Sequence, residues 1–282
     1  MAIRARMTFF AMLALLLALP AVALAGSRGD PGSEIVGGRM VDDASTYPFM
    51  VAVDNTLYDS PFYCGGALLT ERYVITAAHC VANATLDGYF PPDVYRVALG
   101  HLNREEIPDK DWLPVKRIIV EPDYQPAAFY LGYDVALLEL VDPVKGVEFV
   151  TLPKAGDRTG ERTGDPLTAL GWGVKYQIGP DSARLRQVTL KVGKAKTCKQ
   201  QSIDYLGEPY TISLLICVGA PGKSFCNGDS GGPLIARQGA RWVQHGIVSG
   251  GVGCGLYGWD GFITRLSNPD INQWVRKTAG VK

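Results

Sequence analysis

Six consecutive residues, Gly228-Asp229-Ser230-Gly231-Gly232-Pro233, present one hydroxyl on a small-residue backbone suited to receiving negative charge. A serine hydroxyl is a weak nucleophile at neutral pH. Covalent chemistry at Ser230 therefore requires a histidine to take its proton and a carboxylate to orient that histidine. The chain has three histidines, and His79 stands in the string Thr76-Ala77-Ala78-His79-Cys80. Asp134 opens the run Asp134-Val135-Ala136-Leu137-Leu138. Taken alone, Asp134 reads as an acid at a strand edge. With the other two it completes a nucleophile, base and orienting acid in the chain order His, Asp, Ser.

That order and those three strings resemble the chymotrypsin family of serine endopeptidases, whose order differs from that of subtilisins and α/β-hydrolases. Further strings at Ile35-Val36-Gly37-Gly38, Gly171-Trp172-Gly173 and Gly246-Ile247-Val248-Ser249 extend the resemblance from Ile35 to about Val275. It implies that His79, Asp134 and Ser230 are catalytic, that the backbone N–H groups of Gly228 and Ser230 form the oxyanion hole, and that Ser249 supports the triad acid. It also implies pairing of Cys64 with Cys80, Cys198 with Cys217, and Cys226 with Cys254. The cysteines alone leave the connectivity open.

The resemblance assigns two further duties. Asp229 is expected to form a buried ion pair with the α-amino group of Ile35 once the bond after Glu34 is cut, by a Glu-cleaving or low-specificity protease or by autolysis. Ser224 is expected at the floor of the primary specificity pocket, with Gly251 and Gly261 as walls that leave a deep slot. This favours cleavage after large apolar or aromatic residues, because a serine offers no charge to a buried cation. Phe225 is bulky where the family commonly has a small residue and shortens the slot, which shifts the preference toward Leu or smaller side chains. Ser249 and Gly251 are expected to pair with substrate backbone as an added strand, without the apolar platform that a tryptophan at Gly250 would supply. Two alternatives remain: Arg/Lys preference if a one-residue shift brings Asp260 into the pocket wall, or a catalytically silent homologue that only binds.

The rest of the chain must position these groups. Short β-branched and aromatic runs at Phe49–Val53, Ala67–Thr70, Val94–Leu99, Val115–Val120 and Val135–Leu140 alternate with turn residues, and a second set follows at Leu167–Leu170, Leu185–Val192, Leu214–Val218, Pro233–Ala236, Trp242–Ser249 and Gly261–Thr264. Such spacing predicts closed antiparallel barrels, which leave no exposed edge. The resemblance makes the expected fold all-β: two six-stranded antiparallel β-barrels packed face to face, about 35–142 and 143–266, with the site in the cleft between them. A C-terminal α-helix over about 268–279 is capped by Asn268, with Pro269 at its first position. Thr197–Leu206 is expected to hold a shorter helix.

Residues 1–25 read as a signal peptide. Arg4 and Arg6 precede a leucine-rich core shorter than the ~20 residues that span a bilayer, and Ala23-Leu24-Ala25 is a cleavage site. Residues 26–34 read as a polar pro-segment. Secretion suits six cysteines paired as disulfides. The 282 residues carry 28 basic and 28 acidic side chains, so no global field recruits nucleic acid or an anionic membrane. Expected partners are protein or peptide substrates, an activating protease and protein inhibitors, with the chain a monomer. No cofactor or metal is expected: His101 follows Gly100 where the family's calcium loop would carry an acid. Asn83-Ala84-Thr85 is a glycosylation sequon in a eukaryotic host.

Overall fold

The computed structural model describes residues 35–57, 62–83, 88–126, 132–174, 181–207, 209, 211, 213–251, 253–254 and 261–282, all within the unit Gly32–Lys282. The signal and pro-segment, Asp260, and Ala84 and Thr85 of the sequon lie outside the described residues.

In the first half, β1 (Arg39–Met40), β2 (Met50–Asn55), β3 (Phe62–Leu68), β4 (Tyr73–Thr76), β5 (Ala82–Asn83), β6 (Gly88–Tyr89), β7 (Tyr95–Leu99), β8 (Leu113–Val120) and β9 (Ala136–Leu140) follow one another. Strands β2, β3, β4, β9, β8 and β7 close into a barrel in that spatial order. Its seams carry charge pairs on opposed residues. Asp54 on β2 faces Arg96 on β7, with Nε 2.7 Å from Oδ2, and Glu139 on β9 accepts Arg117 Nε of β8 at 2.9 Å. Val51, Leu68, Val74, Ile75, Leu137 and Leu138 are fully buried and belong to one apolar cluster that covers both faces of its strands.

The second half contains β10 (Pro166–Gly171), β11 (Arg186–Val192), α1 (Ala195–Leu206), β12 (Leu215–Gly219), β13 (Pro233–Gln238), β14 (Arg241–Gly251), β15 (Gly261–Arg265) and α2 (Pro269–Ala279). Pairings β11–β10–β13–β14–β15–β12 return to β11, giving a second six-stranded ring, with β1 paired to the start of β11 at Arg186 and Gln187 and β12 to its end at Lys191 and Val192. Its core includes Leu167, Leu190, Ile216, Leu234, Val248 and Ile263.

Beyond the two-residue strands β1, β5 and β6, which have no counterpart in the sequence reading, two strands of the first barrel differ from it. β3 starts at Phe62, five residues before Ala67, and β4 has no counterpart in it. Gly65 and Gly66 interrupt the β-branched pattern that marks a strand, yet both are demanded by crowding. A β-carbon on Gly65 would lie 2.8 Å from Gly232 Cα, and one on Gly66 would lie 2.9 Å from Val74 Cγ1. The expected helices are present. α1 begins two residues before Thr197, and α2 starts at Pro269 with the Asn268 side chain accepting from the N–H groups of Asp270 and Ile271 at 3.0 and 3.2 Å. Ile271 and Val275 bury one face of α2 completely.

Candidate active site

The chain leaves β4 through Ala77 into a single helical turn, Ala78–Cys80, whose centre is His79. A disulfide from Cys80 to Cys64 of β3 pins that turn. Asp134 stands two residues before β9 and is fully buried. The preceding chain is bent, with Gly132 and Tyr133 both at positive φ, 92° and 60°. Asp134 takes two hydrogen bonds from His79: the backbone N–H to Oδ1 at 2.8 Å and ring Nδ1 to Oδ2 at 2.7 Å. A carboxylate only accepts, so Nδ1 carries the proton and Nε2 is left as the basic nitrogen.

The second barrel completes the surroundings of Asp134. Ser249 Oγ donates to Oδ2 at 2.5 Å, and Thr264 Oγ1 donates to the Asp134 carbonyl at 3.0 Å. Ser249 reaches the acid because β14 is irregular there. Val248 and Gly250 pair with the consecutive residues Ile263 and Phe262 of β15, so Ser249 is the additional residue of a bulge, which re-aims its side chain. Burial favours the neutral acid, but the His79 charge and these hydrogen bonds outweigh it and hold the Asp134 pKa below the ordinary carboxylate value. Burial also lowers the basicity of His79, yet the adjacent carboxylate prevails and its pKa stands above the ordinary 6.5.

Ser230 lies on the turn between β12 and β13, lashed to the first barrel. Gly65 N–H donates to the Ser230 carbonyl at 2.7 Å. A β-carbon on Gly231 (φ 77°) would overlap Thr76 Oγ1 and the Gly65 carbonyl, and one on Gly232 would lie 2.8 Å from the Asp229 carbonyl. These glycines therefore permit the contact that brings the serine beside the histidine. His79 and Ser230 line one cavity of about 570 Å³, together with Tyr124, Pro126, Phe225, Asn227, Val248, Ser249, Gly250 and Gly251. Among the described residues no hydrogen bond joins the Ser230 hydroxyl to the ring, so that link is open here. Such contacts commonly tighten only on substrate binding. Neither the Gly228 nor the Ser230 N–H has an acceptor among the described residues. Gly228 has φ 89°, and a β-carbon there would come to 3.0 Å from Gly173 Cα.

Asp229 is buried behind this turn and accepts the N–H groups of Gly173 and Cys226, both at 2.8 Å. With no cation at ion-pair distance among the described residues, burial pushes its pKa up to about 7. Ile35 is fully buried at φ 49° and makes no hydrogen bond to Asp229 in the uncut chain. Val36 is tied alongside, its carbonyl accepting the Ser224 N–H at 3.0 Å.

Of the two expectations for the slot at Ser224, Gly251 and Gly261, open walls and shortening by Phe225, the packing follows the second. Ser224 is 9% exposed and donates its hydroxyl to the Phe225 carbonyl at 2.6 Å. Neither Ser224 nor Gly261 lines the cavity, whereas Phe225 does. The missing side chain at Gly261 makes room for the Phe225 ring, which a β-carbon there would overlap. Asp260, on which Arg/Lys preference would rest, is outside the described residues. Thr264, Tyr124 and the bulge at Ser249 carry no local signal in the sequence.

All three disulfides are paired as the resemblance implies, Cys64–Cys80, Cys198–Cys217 and Cys226–Cys254. The family model described as Trypsin matches residues 35–275. The chain belongs to the trypsin family. Serine protease 28 of Mus musculus is 30% identical over 240 residues, covering 81% of this chain and 83% of that protein. Clotting factor C of Tachypleus tridentatus and Limulus clotting factor C of Carcinoscorpius rotundicauda are each 29% identical over 275 residues. Those alignments take in 91% of this chain but only 26% of either clotting factor, so this trypsin-family chain spans about a quarter of their length.

Proposed function

We propose that the chain is a secreted serine endopeptidase that hydrolyses peptide bonds through an acyl-enzyme on Ser230. The observation that carries the reading is the buried Asp134 carboxylate bonded twice to His79, beside a cleft that the ring shares with Ser230. His79 Nε2 takes the hydroxyl proton as Ser230 Oγ attacks the substrate carbonyl, then gives it to the departing amine. Water repeats the sequence in reverse order to release the acid. Asp134 holds the tautomer and stabilises the transient imidazolium. The unoccupied N–H groups of Gly228 and Ser230 are suited to the oxyanion, where loss of one donor costs about 10²-fold or more in turnover.

Residues 1–25 direct export, and residues 26–34 are removed by cleavage after Glu34. The released Ile35 amine then supplies a cation to Asp229. Substrates are proteins or peptides with an apolar, uncharged residue on the acyl side, bound as a strand along Ser249 to Gly251. Protein inhibitors bind the same cleft. The equal numbers of acidic and basic groups support neither a nucleic-acid nor a membrane partner.

A fluorophosphonate probe is expected to label the matured protein at Ser230 and to leave a Ser230→Ala variant unlabelled. A folded, matured protein that takes no label and releases no fluorophore from a mixed peptide library would refute the proposal in favour of a binding-only homologue.

A further inference from the structure

The floor of the cleft narrows the substrate class further, in a way that rests on the peptidase reading above. Phe225 is 5% exposed and belongs to the apolar cluster of the second barrel with Ile216, Val218 and Val248, yet it also borders the cleft. Its ring spans the space between two glycines. A β-carbon on Gly261 would overlap Cζ and Cε1 and come to 3.1 Å from Cε2, while one on Gly251 would lie 3.9 Å from Cε2. Ser224 is sealed off with its hydroxyl turned onto a backbone carbonyl. The volume that two glycine walls would open to a substrate side chain is therefore occupied from within.

We infer that Phe225 is the specificity-determining residue of this site, and that the enzyme cuts after short aliphatic residues, Ala and Val, in preference to Phe, Tyr or Arg. A short side chain touches the ring face and gains apolar contact without displacing anything. A large one must push Phe225 out of a packed cluster or remain in water, forgoing burial. A cationic one meets an apolar floor with no carboxylate among the described residues that line the cavity.

The test uses matured protein and a matched series of blocked tetrapeptide anilides ending in Ala, Val, Leu, Phe and Arg. Wild type is expected to show kcat/KM for Ala or Val at least about tenfold above Phe, within the range that a misfitting group commands in an apolar pocket. Phe225→Ala is expected to reverse that order by raising cleavage after Phe. Fluorophosphonate labelling is measured in parallel. Normal labelling with Phe cut fastest by wild type, or with a Phe-to-Ala ratio unmoved by Phe225→Ala, overturns the inference and leaves the peptidase reading standing. No labelling overturns both.

Should Phe225→Ala fold poorly, Phe225→Leu keeps an apolar core and is expected to give an intermediate ratio. Thermal unfolding supplies an independent check. Gly261→Ala should lower Tm in the wild-type background and do so less beside Phe225→Leu, and equal losses in both backgrounds would show that the ring does not fill the slot.

Discussion

At the residue scale, the proton held between His79 and Asp134 decides when the site can work. In the proposed mechanism His79 must be neutral to accept the Ser230 proton, and its pKa is raised above 6.5 because the buried carboxylate outweighs desolvation of the ring. The neutral fraction therefore grows only as pH rises past that higher value. The acid limb of the kcat/KM profile is expected to have its midpoint above 6.5, and a midpoint at or below it would contradict the geometry. Asp134→Asn removes both the charge and the tautomer control. Turnover is expected to fall about 10⁴-fold, as at other sites of this arrangement, with the midpoint shifting downward because burial then acts unopposed. Of the other two histidines, His245 is fully buried against Glu161 and His101 pairs with Asp111 at 3.2 Å. Neither borders the cleft.

Elements matter here chiefly where they end or break. The bulge in β14 delivers Ser249, the turn after β4 delivers His79, and the bend before β9 delivers Asp134. Regular strands carry none of these groups; they hold the breaks in place. The same logic applies to α2, whose first turn has N–H groups with no partner inside the helix. Asn268 satisfies two of them and Pro269 removes another, while Gly280 at φ 67° closes the far end. Asn268→Ala should cost about 1 kcal/mol of stability, readable as a shift in the urea midpoint with catalysis intact in the surviving folded fraction. A loss of kcat at unchanged midpoint would mean that the helix does more than close the second barrel.

At the scale of the whole molecule, the uncut chain carries a buried carboxylate, Asp229, that has no counter-ion among the described residues. The Asp229 pKa is raised from 3.8 to about 7, so the folded precursor binds more protons than the unfolded chain between those values. Its stability therefore declines as pH rises through that window, by on the order of a few kcal/mol. Cleavage after Glu34 would place the Ile35 amine against Asp229, restore the ionised form and remove the penalty. Comparing precursor and matured Ser230→Ala protein, which cannot digest itself, the Tm advantage of the matured form should widen between pH 5 and pH 7.5. A gap that stays constant across that range would separate Asp229 from activation.

Much of this architecture is legible in the linear chain because its signals are local. The strings around His79, Asp134 and Ser230, the alternating runs of most strands and the Asn268-Pro269 start of α2 each lie within a few residues, where local stereochemistry acts. The strand β4, the early start of β3 and how completely Phe225 fills the slot are not legible. Gly65 and Gly66 look like strand breakers until Gly232 and Val74 are seen pressing on them, and the bulk of Phe225 marks a shorter slot without showing that its ring lies where a Gly261 side chain would be. The sequence by itself determined which groups could do the chemistry and that two barrels would hold them. Only the tertiary structure decided how they meet, since Asp134 is joined to Ser249 across 115 positions and to Thr264 across 130. Contacts between such distant residues depend on packing that no local pattern encodes.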